Sequence, residues 1–270
     1  MSQPCPTRSP CVIEMADVAV TALNDSALTV LDQVNWSVRP GEFWVVAGAH
    51  HSGKSDLLLH AAALVAPAAG VCHVFGTDTR EWGEARLAER LRIGFTFADG
   101  KLFQQATVAA NLALPLQYHR NPPLDETARK VAALLELLEL APCADELPGN
   151  LPRVWRQRTA LGRALVLQPE LLVLDNPLSG LTARHRQWLL NFLDQLWRGH
   201  DFFGGRPMTL VATTEDLPAW QHPQRQFAVL HEGTFCPLGT WRGQDFVRHP
   251  AVRELLTTEP GMTAAASRPD

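Results

Sequence analysis

A chain of 270 residues, 46% apolar and 19% charged, is long enough for one large α/β domain with a substantial buried core. Its formal net charge of -4 argues against a nucleic-acid binder working through a broad basic surface, and no nucleic-acid partner is expected. Five scattered cysteines (Cys5, Cys11, Cys72, Cys143 and Cys236) form no CxxC pair, which fits reduced thiols in a cytosolic protein better than a disulfide framework or a zinc site.

Met1 to Pro10 is rich in Pro and Ser and has no apolar core, so residues 1–11 are expected to be a disordered lead-in and not a signal peptide. Residues 12–40 alternate in short β-like stretches and end at the turn Pro40-Gly41. Phe43 to Ala47 is a continuous apolar run of strand length, as in a strand buried on both faces of a parallel sheet. A Gly-rich loop follows, then a helix expected over Asp56 to Val65. Leu57 to Val71 is the nearest approach to a membrane span. It is broken by His60, Pro67 and Gly70 and falls short of the ~18 uninterrupted apolar residues a span needs. The stretch 125–140 carries Val131, Leu134, Leu135 and Leu138 at helical spacing with charges between them, the mark of a core-facing helix. Leu171 to Leu174 is a second buried-strand run ending at Asp175. Thr209 to Thr213 and Phe227 to His231 are further strands, the last turning at Glu232-Gly233 into a hairpin with Thr234 to Cys236. The tail after Thr257 is small and polar enough to be disordered.

The loop Gly48-Ala49-His50-His51-Ser52-Gly53-Lys54-Ser55 fits GxxxxGK[ST], and each residue type in that pattern has a task. The glycines allow positive φ and bring backbone N–H groups close to phosphate oxygens. The helix that starts there, with Asp56 in its first turn, aims free N–H groups and its positive end at the same anion. Lys54 reaches the outer phosphates, and the Ser55 hydroxyl coordinates Mg²⁺. Asp175, at the end of a buried strand, stands where such a fold keeps its magnesium-side carboxylate. ATP and Mg²⁺ are therefore the expected ligands. His50 and His51 occupy variable loop positions and read as solvent-facing fillers, since no further ligand spacing supports zinc.

Gln157 to Leu181 (QRTALGRALVLQPELLVLDNPLSGL) resembles the ATP-binding subunits of ABC transporters over their most recognisable stretch, and the similarity runs from Leu31 to Leu217. The resemblance implies an α/β P-loop NTPase with a RecA-like core, an antiparallel β subdomain and a helical subdomain. The domain is expected to span 12–240, with the helical part about 99–168 and a C-terminal helix and flexible tail in 241–270. It further implies a dimer with a second nucleotide-binding subunit, identical or not. Docking on a permease in the inner membrane would make the chain cytoplasmic and peripheral on the inner face of the plasma membrane. Leu102 to Leu116 (LFQQATVAANLALPL) and His249 to Gly261 are similar to the ATPases of Mce-linked phospholipid and toluene-tolerance transporters, which suggests lipid transport.

Measured against that family, the chain departs at its chemical positions. The Q-loop glutamine is Ala98, the signature LSGGxxQR reads Leu151-Pro152-Arg153-Val154-Trp155-Arg156-Gln157-Arg158, and the catalytic glutamate is Asn176. An amide can hold a water but cannot take its proton, so a general-base contribution of ~10²–10⁴ in rate is absent. The switch histidine is Glu215, a carboxylate where a histidine would donate to a phosphate. The D-loop acid is Thr182, and no aromatic for stacking adenine occurs in Val20 to Asn24. Pro152 removes an N–H donor and Val154 adds a β-branched side chain where backbone amides should meet a γ-phosphate. Arg153 could supply positive charge there across a dimer, whereas Arg156, Arg158 and Arg163 read as the solvated or bracing face of one helix. The leading expectation is a nucleotide-binding subunit impaired in hydrolysis. The alternatives are an active transport ATPase and a nucleotide-responsive regulator without a permease.

Overall fold

The computed structural model describes residues 11–83, 86–241 and 250–257. The expected disordered ends therefore fall almost wholly outside the described residues, as do 249 and 258–261 of the run His249 to Gly261. Two sheets organise the chain. The first is antiparallel, in the order β2-β1-β4-β5, from β1 (Ile13–Ala22), β2 (Asp25–Val38), β4 (Ala69–Val74) and β5 (Thr77–Asp78). The second has the order β10-β9-β3-β8-β7-β6. It is built from β3 (Phe43–Gly48), β6 (Ile93–Thr96), β7 (Leu171–Leu174), β8 (Thr209–Thr214), β9 (Gln226–His231) and β10 (Thr234–Thr240). Every pairing in it is parallel except the β9–β10 hairpin, which forms as its turn residues predict and continues to Thr240.

Helices fill the crossovers that parallel strands require. They are α1 (Lys54–Ala61), α2 (Leu87–Arg90), α3 (Val108–His119), α4 (Leu124–Leu137), α5 (Arg153–Leu165) and α6 (Ala183–Arg198), while α7 (Pro250–Thr257) follows the last strand. The uninterrupted apolar runs have a direct cause. Phe43, Val45 and Ala47 join one core, with Leu172, Leu174, Leu210 and the apolar faces of α3 to α6. Trp44 and Val46 join the other, with Leu171, Val173, Val211, α1 and the antiparallel sheet. A strand wedged between two cores has no polar face, so alternation disappears from its sequence. Each Val, Leu or Phe so placed stabilises the fold by about 1.5–3 kcal/mol.

The helix at 125–140 forms as α4, with Val131, Leu134, Leu135 and Leu138 all buried. The helix expected at Asp56 to Val65 is displaced. Gly53, at φ 87°, caps it two residues earlier than expected, and it ends at Ala61. Ala63 takes the left-handed conformation (φ 54°), with Ala63 N–H donating to the His60 carbonyl and Leu64 N–H to the Leu59 carbonyl. This pair of bonds closes a helix C-terminus. An alanine in the position glycine usually takes hid the stop from the sequence. Among the described residues no helix is long and apolar enough to cross a membrane.

Candidate nucleotide site

Sheet order places the candidate site. In an open parallel sheet, ligands sit beyond the carboxyl ends of the strands. Ala47 pairs with Thr214 and Leu174 with Ala212, so the chain after β3, β7 and β8 emerges at one edge. That edge gathers the Gly48–Ser55 loop, Asp175-Asn176 and Thr213 to Glu215 from three distant parts of the sequence.

The loop is shaped for an anion. A Cβ on Gly48 would lie 2.4 Å from Ser52 Oγ, and Gly53 adopts a conformation that side chains rarely take. Ser52 Oγ is buried with no hydrogen-bond partner, a polar atom left for a ligand or water to satisfy. The first-turn N–H groups of α1 lack intrahelical partners by construction. His51 also takes the left-handed conformation, at φ 60°.

Lys54 is 7% exposed and turns back into the loop, donating to the Gly48 carbonyl at 2.9 Å and to the Ala49 carbonyl at 2.5 Å. Glu215 Oε1 lies 3.4 Å from its ammonium. Burial pulls the Lys54 pKa below its ordinary value, and the Glu215 carboxylate is the first of the groups that oppose this. His50 is mostly exposed, but its Nδ1 lies 3.2 Å from the same Glu215 oxygen. Among the described residues no three or more His, Cys, Asp or Glu gather as a candidate metal-holding cluster.

The candidate magnesium pair is in contact. Ser55 Oγ donates to Asp175 Oδ2 at 2.8 Å, and Thr213 Oγ1 donates to Asp175 Oδ1 at 3.0 Å. Mg²⁺ binds hard oxygens, keeps several waters and takes only one or two protein carboxylates. Two adjacent oxygen donors at the loop mouth suit that demand, with phosphate oxygens and water completing the shell. Thr213, which the sequence did not single out, also accepts from Asn176 N–H at 2.9 Å. A threonine at the last inward position of β8 was its available signal. Asn176 itself sits at φ 44°, a conformation Asn tolerates better than most residues. Asp56 Oδ1 accepts the Leu23 N–H of the β1–β2 turn at 2.9 Å.

The signature segment is braced from within its own chain. Pro152 forms the N-cap of α5 with no side-chain cap bond. Arg153 is exposed, and within its own chain its Nε donates to the Ser179 carbonyl at 3.1 Å and its Nη2 to the Ala98 carbonyl at 3.3 Å. Gln157 Nε2 also reaches the Ser179 carbonyl, at 3.2 Å. These bonds tie α5 to the loops after β6 and β7. Arg163 donates to the carbonyls of Lys101 and Gly100, and Arg158 is buried, so both brace the fold.

Thr107 and Asn111, inside the Leu102–Leu116 run, have structural work. Thr107 Oγ1 caps α3 by accepting the Ala110 N–H. The fully buried Asn111 amide donates to the carbonyls of Phe103, Ala106 and Thr107 and accepts the Phe103 N–H. Thr107 and Asn111 thus clip the loop before α3 onto that helix.

Residues 31–179, just over half of the chain, match the family model described as ABC transporter. The sulfate/thiosulfate import ATP-binding protein CysA of Nephroselmis olivacea is 33% identical over 222 residues, covering 82% of this chain and 61% of that protein. The methionine import ATP-binding protein MetN 2 of Burkholderia pseudomallei is 34% identical over 245 residues, covering 88% of this chain and 60% of that protein. The chain thus spans about three fifths of the length of such curated relatives. Among solved structures, the ATP-binding cassette MJ0796 in a dimeric post-hydrolysis state with ADP and Pi superposes with a TM-score of 0.74 at 23% identity, over 85% of this chain and 99% of that one. The fold is that of an ABC ATPase cassette, a P-loop NTPase. The chain belongs to the ABC transporter family.

Proposed function

We propose that this chain is the nucleotide-binding subunit of an ABC transporter, holding an adenine nucleotide with Mg²⁺ on Gly48 to Asp56 and Asp175 while turning it over slowly or not at all. The observation that carries the reading is the pairing at the loop mouth. Lys54 faces the Glu215 carboxylate at 3.4 Å, and the neighbouring position that would need a general base holds Asn176. An amide cannot accept the proton of an attacking water, and a carboxylate beside the lysine opposes the charge of a terminal phosphate.

The helical part, about 99–168, would dock on a permease, and a second nucleotide-binding subunit would complete the dimer. The chain would then lie on the cytoplasmic face of the inner membrane. For the cargo, relatives named for sulfate and methionine import favour a small solute over a phospholipid. The lipid reading rests on His249 to Gly261 and on Leu102 to Leu116, a run whose Thr107 and Asn111 serve the fold.

The test is phosphate release from Mg·ATP by the purified chain, with Lys54→Ala as control, alongside calorimetric titration of nucleotide. Binding that Lys54→Ala abolishes, with no Lys54-dependent turnover, is the expected result. Lys54-dependent turnover at about 1 s⁻¹ or faster, the lower end of ordinary enzyme rates, would sink the impaired-hydrolysis reading.

A further inference from the structure

The Lys54 ammonium has three N–H donors. Two are directed to the Gly48 and Ala49 carbonyls, and its remaining side faces Glu215 Oε1. His50 Nδ1 lies 3.2 Å from that same oxygen. Glu215 directly follows β8, whose Thr214 is in register with Ala47, the last β3 residue before the loop glycine. Sheet register therefore sets where the Glu215 backbone lies relative to the loop. Its side chain remains 42% exposed, on the outer side of the buried lysine.

From these contacts we infer that Glu215 stands in for a terminal phosphate, so that the loop takes a nucleoside diphosphate in preference to a triphosphate. This deepens the nucleotide-binding reading above and rests on it. A diphosphate can be held by the loop amides and the first turn of α1. Glu215 then keeps its contacts with Lys54 and His50. A third phosphate arrives on the outer side of the lysine, where the carboxylate already is. It must either displace Glu215 from both partners or lie a few ångströms from a like charge, and the diphosphate incurs neither cost. Ser55 and Asp175 remain available to a magnesium ion in both cases.

The experiment is calorimetric titration of the full chain with Mg·ADP and Mg·ATP, for the unmodified protein and for Glu215→Gln, which keeps the shape and removes the charge. The unmodified chain is expected to bind Mg·ADP about tenfold more tightly than Mg·ATP, a modest fraction of a close like-charge repulsion. In Glu215→Gln the gap should close to within about twofold, through a gain in ATP affinity. Equal or tighter binding of Mg·ATP by the unmodified chain overturns the inference and leaves the nucleotide-binding reading intact. So does a gap that survives in a folded Glu215→Gln. If neither nucleotide binds, the nucleotide-binding reading itself fails and takes this inference with it. Should Glu215→Gln not fold, the salt dependence of the unmodified chain decides. An ADP preference that shrinks as salt screens the exposed carboxylate supports the inference, and one indifferent to salt overturns it.

Discussion

Replacing Arg158 with Met separates bracing from nucleotide contact. Arg158 is 5% exposed in the middle of α5. Its guanidinium lies 3.6 Å from the ring centroid of Trp188 on α6, and it donates to the Leu138 carbonyl at the end of α4 at 3.1 Å. A second bond goes to Glu139, which is 58% exposed. Methionine keeps much of the apolar stem and removes the charge. A desolvated cation–π contact is worth about 2 kcal/mol. The carbonyl loses a bond worth about 1 kcal/mol, while exposed Glu139 rehydrates and contributes little. Relief from burying the cation, whose Nε has no partner, offsets part of this. The expected net loss is about 2 kcal/mol, equivalent to a fall in Tm of roughly 4–8 °C for a domain of this size. Differential scanning calorimetry reads the Tm, and titration reads nucleotide affinity, which should stay within about twofold. A Tm within about 2 °C of the parent would refute the bracing argument. So would a tenfold loss of nucleotide affinity at unchanged stability.

His60 makes the fold acid-sensitive. It is 1% exposed, its Nδ1 faces the Asp56 carbonyl at 2.9 Å, and its Nε2 has no partner, so burial lowers its pKa below 6.5. The unfolded chain then binds the extra proton first. Stability is full above about pH 6.5 and falls toward the depressed folded value, by at most ~1.4 kcal/mol per pH unit. Urea melts of His60→Leu across that window should show a shallower slope, not a flat one, because burial lowers His222 in the same direction. An unchanged slope would rule His60 out. Asn176→Glu supplies the absent carboxylate but leaves Ala98, Glu215 and the altered signature in place. Phosphate release is expected to stay at the Lys54→Ala background, and a Lys54-dependent rise of more than about tenfold would mean that the base alone was limiting.

The framework was legible because its signals are redundant. Phe43 to Ala47 and Leu171 to Leu174 announce buried strands, and α4 repeats its apolar positions through several turns. Capping detail was less legible, since Ala63 ends α1 in a conformation its identity does not advertise. The same holds for groups whose meaning depends on a distant neighbour. From sequence Arg153 could supply positive charge across a dimer, and only the fold shows its hydrogen bonds to the Ser179 and Ala98 carbonyls of its own chain.

Glu215 shows most clearly where sequence reasoning stops. At its position the residue type alone permits one deduction, repulsion of a phosphate. That deduction sets the carboxylate against a ligand and says nothing of the apoprotein. The fold sets it against Lys54 and His50, groups drawn from the loop itself by the pairing of β3 with β8. A buried lysine without an anion is costly, because its charge is desolvated and uncompensated. A phosphate loop emptied between turnovers must tolerate that cost, whereas a loop with its own carboxylate has a partner in the absence of ligand. The carboxylate that opposes a terminal phosphate in the proposed reading therefore supplies a stabilising contact for the resting chain. Its electrostatic logic persists whether or not the chain ever meets ATP.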